Sequence, residues 1–409
     1  MKSISDAEQL DAPGTAPTPA ARRALPWWVR VVLIWLASRV LTTTIMVVTA
    51  AQAPSRPRAD SLFSYATLSQ LWDAGWYQKV ALHGYPSVLP HGTSGAVVAN
   101  TWAFLPGYPF LVRVLMASTG LSWDVVSAAV SIAFSLAFVL VFDRLMHLVL
   151  LSNTARFALI LLCVSPLSPI LQVAYAESMN LFLVALALYL LVRRRYLWLI
   201  PVLGIMSLTR PGEVAFALTL AVHVALRWRN RRADPWLPGQ LTASLVATGL
   251  AAGFGLVWPI IAWVATGSPS AYTATELAWR ARDIGSPSLV PFTPWIESAN
   301  FYFAPPWGLL LLALTLAAAI AAFFTRPVRR LGTDLRLWIA SYALYVLAVF
   351  FPQTSTLRIL TPMFPLFGAL AQPRSRVYRI AIVVVFIAGQ AVWLIGSWWT
   401  WWGPDLVTP

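Results

Sequence analysis

Residues 71–86, LWDAGWYQKVALHGYP, set one carboxylate, Asp73, between Trp72 and Trp76 and follow it with Tyr77, Lys79, His83 and Tyr85. A carboxylate held against aromatic side chains is poorly hydrated, which raises its pKa and its basicity. Such a group suits the removal of a proton from a hydroxyl. On a helix over 66–82, Asp73, Tyr77 and Val80 would share a face at i, i+4 and i+7. The plainer alternative is an aspartate that caps a helix or pairs with Lys79 or Arg113.

Few other charges interrupt the apolar sequence. Glu177 opens a helical run, where a carboxylate complements the helix dipole. Arg210 stands in LTRPGE with Glu213 three residues on as a neutralising partner, and Arg358 stands in TSTLRILTP, where snorkelling to an interface is the plain reading. Arg39 lies nine residues past Arg30, about 13 Å along a helix, so it is deep in an apolar run. A charge there is functional by default, or it pairs with Glu or carbonyls between helices. His83 and His91 have no Cys or carboxylate at ligand spacing, so no metal is expected. Neither a P-loop nor a Gly-rich nucleotide fingerprint is present, so no nucleotide-sugar donor and no cofactor is expected.

The elements that must position these residues are membrane helices. The chain has 409 residues, is 59% hydrophobic and only 11% charged, with a mean hydropathy of +0.70; a soluble domain would be about a quarter charged. The formal charge of +14 comes almost wholly from arginine, Lys2 and Lys79 being the only lysines. Those arginines lie between apolar runs, which reads as topology and not as a nucleic-acid surface. The single cysteine, Cys163, permits no intramolecular disulfide and no cysteine metal site.

Apolar runs of crossing length, roughly 20 residues, fall near 30–50, 123–143, 156–174, 178–192, 196–210, 213–228, 241–266, 306–325, 336–352, 356–371 and 378–399. The expectation is an all-α polytopic membrane protein of about eleven transmembrane helices, with a helical first external loop. Residues 1–25 read as a disordered cytoplasmic tail, and 26–409 as one transmembrane domain. The first run ends in Ala51-Gln52-Ala53 but is too long for a signal peptide, so it is read as a retained anchor. With the N-terminus inside, 20 of the 29 basic residues fall on the cytoplasmic side of a plasma membrane and eight outside, the bias expected of a correct orientation. The C-terminal SWWTWW would then form an aromatic belt at the outer interface. Two external segments, 51–122 and 267–305, exceed connector length and are expected to be functional. The short apolar run 103–117, opened by FLPGYP, reads as a helix along the membrane surface.

The ordered motifs WDAGWYQKVALHGYP, AFLPGYPFLVRVL, YAESMNLFL, LTRPGE and TLRILTPMFPLF resemble the PIG-V type of GT-C mannosyltransferase over about residues 39–366. That family pairs a Trp-Asp motif and a Gly-Tyr step in its first external loop with a Phe-Pro-x-Tyr-Pro segment. A Tyr-x-Glu-Ser step opens a later helix, and an Arg precedes a Phe-Pro near the C-terminus. This chain departs from it in reading FLPGYP and in lacking an Asp-x-Asp pair, which leaves metal use and the acceptor open. The resemblance implies a GT-C fold and transfer of mannose from a polyprenyl-phosphate-mannose donor to a lipid, glycan or protein acceptor on the external face, with Asp73 as general base and inversion at the sugar carbon. Arg358 is then the first candidate for the departing phosphate and Arg210 the second, while Glu177 either caps its helix or orients the acceptor. Trp72, Trp76, Tyr77, Tyr85, Trp102 and Tyr108 are candidates to touch the sugar, and His83 either bonds its hydroxyls or does nothing.

Two other readings stay open. One keeps the machinery and changes the sugar to arabinose or glucose, or the acceptor to protein. The other is a transporter or flippase of lipid-linked sugars, which would show paired halves and broken or charged helices near the midplane.

Overall fold

The computed structural model describes residues 25–52, 65–284 and 289–398. The N-terminal tail up to residue 24, residues 53–64 and the aromatic run beyond Trp398 lie outside the described residues. Every named element among those described is helical. The chain enters through α1 (Trp27–Gln52), followed by short α2 (Tyr65–Ser69), α3 (Asp73–His83) and α4 (Gly107–Thr119). Then come α5 (Trp123–Val149), α6 (Ser152–Val164), α7 (Glu177–Val192), α8 (Tyr196–Met206), α9 (Glu213–Arg229) and α10 (Gln240–Thr266). The segment 267–305 holds α11 (Ala271–Ile284) and α12 (Thr293–Tyr302). The chain closes with α13 (Trp307–Phe323), α14 (Arg326–Arg329), α15 (Thr333–Val349), α16 (Thr356–Ile359), α17 (Leu366–Leu370) and α18 (Arg376–Trp398).

Four of these helices, α1, α5, α10 and α18, are long and apolar enough to cross a membrane, and α6, α7, α8 and α13 are shorter apolar helices. Their outward faces stay apolar: Val40, Val264, Leu314 and Val377 are each more than 60% exposed. A surface of that kind is matched to lipid rather than water. At the centre, α5 packs on α7, and α9 packs on α10 and α15. Inside that bundle the fully buried side chains include Phe138, Phe142, Phe216 and Trp338.

The helix expected over 66–82 is split. Residues 70–72 break it, and Trp72 takes φ 58°, a backbone region that costs a bulky residue energy and persists only where surroundings enforce it. The break makes Asp73 the first residue of α3, with Tyr77 and Val80 buried behind it. Nine of the eleven expected apolar runs hold eleven or more residues of one helix, and 156–174 holds the last nine of α6 before a 3-10 turn. The run 356–371 is broken into α16, a 3-10 turn at Thr361–Met363, and α17. Pro362 and Pro365 explain this, since each removes a backbone donor and ends a helix before it. Carbonyls freed by the break find other donors. Trp338 Nε1 donates to Pro362 O at 2.8 Å and the Tyr342 hydroxyl to Ile359 O at 2.7 Å. Phe364 plugs the segment into the bundle, its ring 5.0 Å from Phe138 and 5.8 Å from Phe142, each such pair contributing about 1 kcal/mol.

Arg39 is buried, and among the described residues it has no carboxylate partner. Its guanidinium donates to Ser168 O at 3.0 Å, Gln172 Oε1 at 3.1 Å and Cys163 O at 3.3 Å, and also to Ser168 Oγ. It therefore braces the 3-10 turn Ser168–Gln172 that leads into α7. The pairing with carbonyls is the one of the two readings that the geometry matches.

Candidate active site

Four charged side chains from four separate parts of the chain meet in one row. Asp73 begins α3, Glu177 begins α7, Arg210 lies in the turn between α8 and α9, and Arg358 lies in α16. Arg358 Nη1 donates to Asp73 Oδ2 at 2.6 Å, and the same nitrogen lies 3.4 Å from Glu177 Oε1. Arg210 Nη1 donates to that same Glu177 oxygen at 2.5 Å. The row therefore alternates in sign, Asp73–Arg358–Glu177–Arg210, and is neutral as a whole. Glu177 is 2% exposed and Arg358 7% exposed, so each buried charge depends on its neighbours. Burial works against the charge of Arg210, and the carboxylates of Glu177 and Asp73 outweigh it, so its pKa is raised.

Two features of this row differ from the sequence reading. Asp73 is ion-paired and does not stand alone among aromatic walls. Glu213 does not neutralise Arg210; its Oε2 instead accepts from the Gly212 backbone N–H at 3.1 Å, and Glu177 takes the arginine.

The row is not saturated. Arg358 Nε and Glu177 Oε2 are buried with no hydrogen-bond partner, which is rare for native groups and marks a site that a ligand can satisfy. The Arg358 guanidinium carbon lies 5.4 Å from the centre of the Tyr175 ring, a contact that favours the cation. All four charges line a single cavity of about 420 Å³.

A further part of the wall comes from the segment 267–305. Tyr272, Glu276 and Trp279 project from α11 into the cavity, spaced at i, i+4 and i+7 on one helix face. Trp279 meets Trp76 edge-on with ring centres 5.1 Å apart, and Trp76 stacks on Phe104 at 5.7 Å and 4°. Phe104 and Trp279 face the cavity, so Trp76 supports its aromatic wall from behind. Lys79 Nζ sits 4.0 Å over the Trp76 ring. Tyr342 and Tyr345 of α15 and Asn180 of α7 complete the lining near the charges. Burial pushes the Glu276 carboxyl above the ordinary glutamate range, with Arg280 opposing the shift.

The remaining sequence candidates lie elsewhere. Tyr108 is fully buried with its hydroxyl bonded to Ser127 O at 2.9 Å and within 3.1 Å of Ser131 Oγ. Tyr77 packs edge-on against Phe104 and Tyr108. Tyr85 stacks on Trp102 at 4.6 Å and donates to Phe104 O at 2.7 Å, so both rings belong to the frame behind the cavity. His83 is exposed at the end of α3, off the cavity wall. Trp72 is half-buried at the helix break, with its indole N–H unpartnered. Among the described residues, no three His, Cys, Asp or Glu side chains are grouped to hold a metal ion.

The glycine of FLPGYP has a structural cause. Gly107 N donates to Leu208 O at 2.6 Å, and a Cβ at this position would lie 2.7 Å from that oxygen and 3.0 Å from Thr209 Oγ1. The absent side chain lets α4 touch the turn that carries Arg210.

No protein-family model matches the chain, and no curated protein matches its sequence. Among solved structures, the chain is similar to ArnT from Cupriavidus metallidurans, solved with bound undecaprenyl phosphate. The identity is 13% and the TM-score 0.49, over 89% of this chain and 63% of that one. It is also similar to the archaeal oligosaccharyltransferase AglB from Archaeoglobus fulgidus, solved with an inhibitory peptide and a dolichol-phosphate. There the identity is 12% and the TM-score 0.42, over 94% of this chain and 57% of that one. The chain thus spans less than two thirds of the length of either.

Proposed function

We propose that this chain is an integral membrane glycosyltransferase of the GT-C kind, taking mannose from a polyprenyl-phosphate-mannose donor, with Asp73 as general base. The observation that carries the reading is the Asp73–Arg358 pair, 2.6 Å long, set with Glu177 and Arg210 in the wall of one cavity. A lipid-linked donor keeps its tail in the bilayer, so its reacting carbon must be met at the lipid–water boundary. The aromatic wall of Phe104 and Trp279 suits a sugar face, and the unpartnered Arg358 Nε suits a phosphate oxygen.

The step itself needs one base. The acceptor hydroxyl oxygen bonds to the anomeric carbon, and the carbon–oxygen bond to phosphate breaks. The hydroxyl proton goes to Asp73, and polyprenyl phosphate leaves with its electron pair. No acid is required, because the phosphate is already a good leaving group. Its growing charge is met by Arg358 and Arg210, as preorganised cations stabilise developing anions. Attack opposite the leaving group inverts the sugar carbon. Arg358 links the two halves of this scheme: a phosphate that draws its guanidinium weakens its hold on Asp73, freeing the base when donor is bound.

The arginine distribution supports an external active site and a cytoplasmic N-terminus. The test is sugar transfer from radiolabelled polyprenyl-phosphate mannose, with glucose and arabinose donors beside it, in membranes holding wild type or Asp73→Asn. Transfer that collapses in Asp73→Asn at equal abundance supports the base. Undiminished transfer removes Asp73 from the chemistry, and a preference for another donor replaces mannose.

A further inference from the structure

A second cavity, of about 520 Å³, opens at the far end of the bundle from the charged row. The separation follows from α1. Arg30 in its first turn lines this cavity, while Met46 of the same helix touches Gln172 at 3.4 Å, in the turn leading to Glu177. Sixteen residues of helix hold these points about 24 Å apart. The cavity is framed by the N-terminal turns of α1, α6 and α18, which pack against one another. Each supplies one arginine: Arg30, Arg156 and Arg379. Among the described residues, no carboxylate lines it. Asp143, within electrostatic reach of Arg30 and Arg156, is 3% exposed and faces His147 Nδ1 at 3.4 Å.

We infer that this cavity binds the headgroup of an anionic phospholipid. Three guanidiniums without a carboxylate among the lining residues call for an anion, and arginine offers planar, forked donors that match phosphate oxygens. Arg379 is already fixed in place: its guanidinium lies 4.6 Å over the Phe157 ring, and its Nε donates to Pro373 O at 3.0 Å. Arg156 is steadied by Ser152 O at 3.3 Å and by Asn153. The floor distinguishes a lipid from a free anion. Leu33, Ile34 and Ile160 line the cavity below the arginines. The apolar surface then continues outward along α1 through Leu36 and Val40 and along α18 through Ile380 and Val384, all exposed. A phosphodiester at the arginines would leave its acyl chains against those side chains, and basic pockets between membrane helices bind anionic headgroups in this way.

The test is native mass spectrometry of the detergent-purified full chain with phosphatidylglycerol or phosphatidylcholine added at equal amounts. A one-to-one phosphatidylglycerol adduct at least tenfold more abundant than the phosphatidylcholine adduct is expected. The combined variant Arg30→Gln, Arg156→Gln and Arg379→Gln should lose that preference, while Arg229→Gln with Arg231→Gln should keep it. Should the combined variant fail to fold, exposed Arg30→Gln alone is expected to weaken the adduct about threefold. Equal adducts of the two lipids, or a preference that survives the substitutions, would overturn the inference. Displacement of the lipid by glycerol 3-phosphate at equal concentration would overturn it too, because the cavity would then be a site for a free anion.

Discussion

Arg358 Nη1 stands between two carboxylates, 2.6 Å from Asp73 Oδ2 and 3.4 Å from Glu177 Oε1, joining residues 285 positions apart in the chain. One guanidinium therefore couples the start of α3 to the broken segment 356–371, and any change to it acts on both. Arg358→Ala strips Asp73 of its ion-pair partner and leaves Glu177 with Arg210 alone. Breaking a buried pair in this way costs on the order of 3 kcal/mol, so the unfolding midpoint in detergent should fall and transfer should be lost. Arg358→Lys keeps the charge but not the planar fork. It should recover most of the midpoint and little of the transfer. Thermal unfolding followed beside radiolabelled sugar transfer separates the two effects, and equal recovery of both would remove the phosphate role.

Asp73→Asn should behave differently. An amide can still accept from Arg358, so folding should survive with a modest shift in midpoint, while loss of a general base should lower kcat by about 10² to 10⁴. Transfer within threefold of wild type, at equal abundance, would contradict this.

Gly107→Ala tests how Arg210 is held. Its new Cβ would meet Leu208 O at 2.7 Å, against backbone rather than a flexible side-chain tip. Overpacking of this sort costs about 1–3 kcal/mol and shifts backbone. The turn carrying Arg210 should move away from Glu177, so transfer should fall at least tenfold although residue 107 bears no reactive group. Unchanged kinetics would show that the turn adapts without moving the arginine.

The charged row was legible in the sequence because charges are scarce in an apolar chain: Asp73, Glu177, Arg210 and Arg358 each stand out against their neighbours. What could not be read was who pairs with whom. Glu213, three residues from Arg210, was the natural partner by spacing, yet Glu177 takes that role from another helix. Hydropathy alone also merged 356–371 into a crossing, although Pro362 and Pro365 were signs of the break that α16 and α17 display. The α11 wall was read only as part of the long segment 267–305, with none of its residues singled out. Its signal was Tyr272, Glu276 and Trp279 at one-face spacing in a segment too long for a connector. Conversely, Tyr85 and Tyr108 looked like sugar-facing aromatics because type and neighbourhood were right. Only packing reveals that their hydroxyls are taken by Phe104 O and Ser127 O.

Glu276 yields a prediction in pH. Burial raises its carboxyl pKa above the ordinary value, so the folded state holds this proton more tightly than the unfolded chain does. For such a group, stability is fully present below the unfolded pKa, about 4.3 for glutamate. It is lost as pH rises through the folded value, because the unfolded chain then gains more by ionising. The wild-type midpoint should therefore carry a component that declines as pH rises above about 4.3 and through the folded value, and Glu276→Gln should remove that component. Its removal is read as the difference between the two midpoint-versus-pH curves in one detergent. Glu276 lines the same cavity as Asp73 and Arg210, and the same substitution should leave sugar transfer in place. If Glu276→Gln abolished transfer at equal abundance, the proton lost in transfer would pass through α11, and the base would have to be sought there.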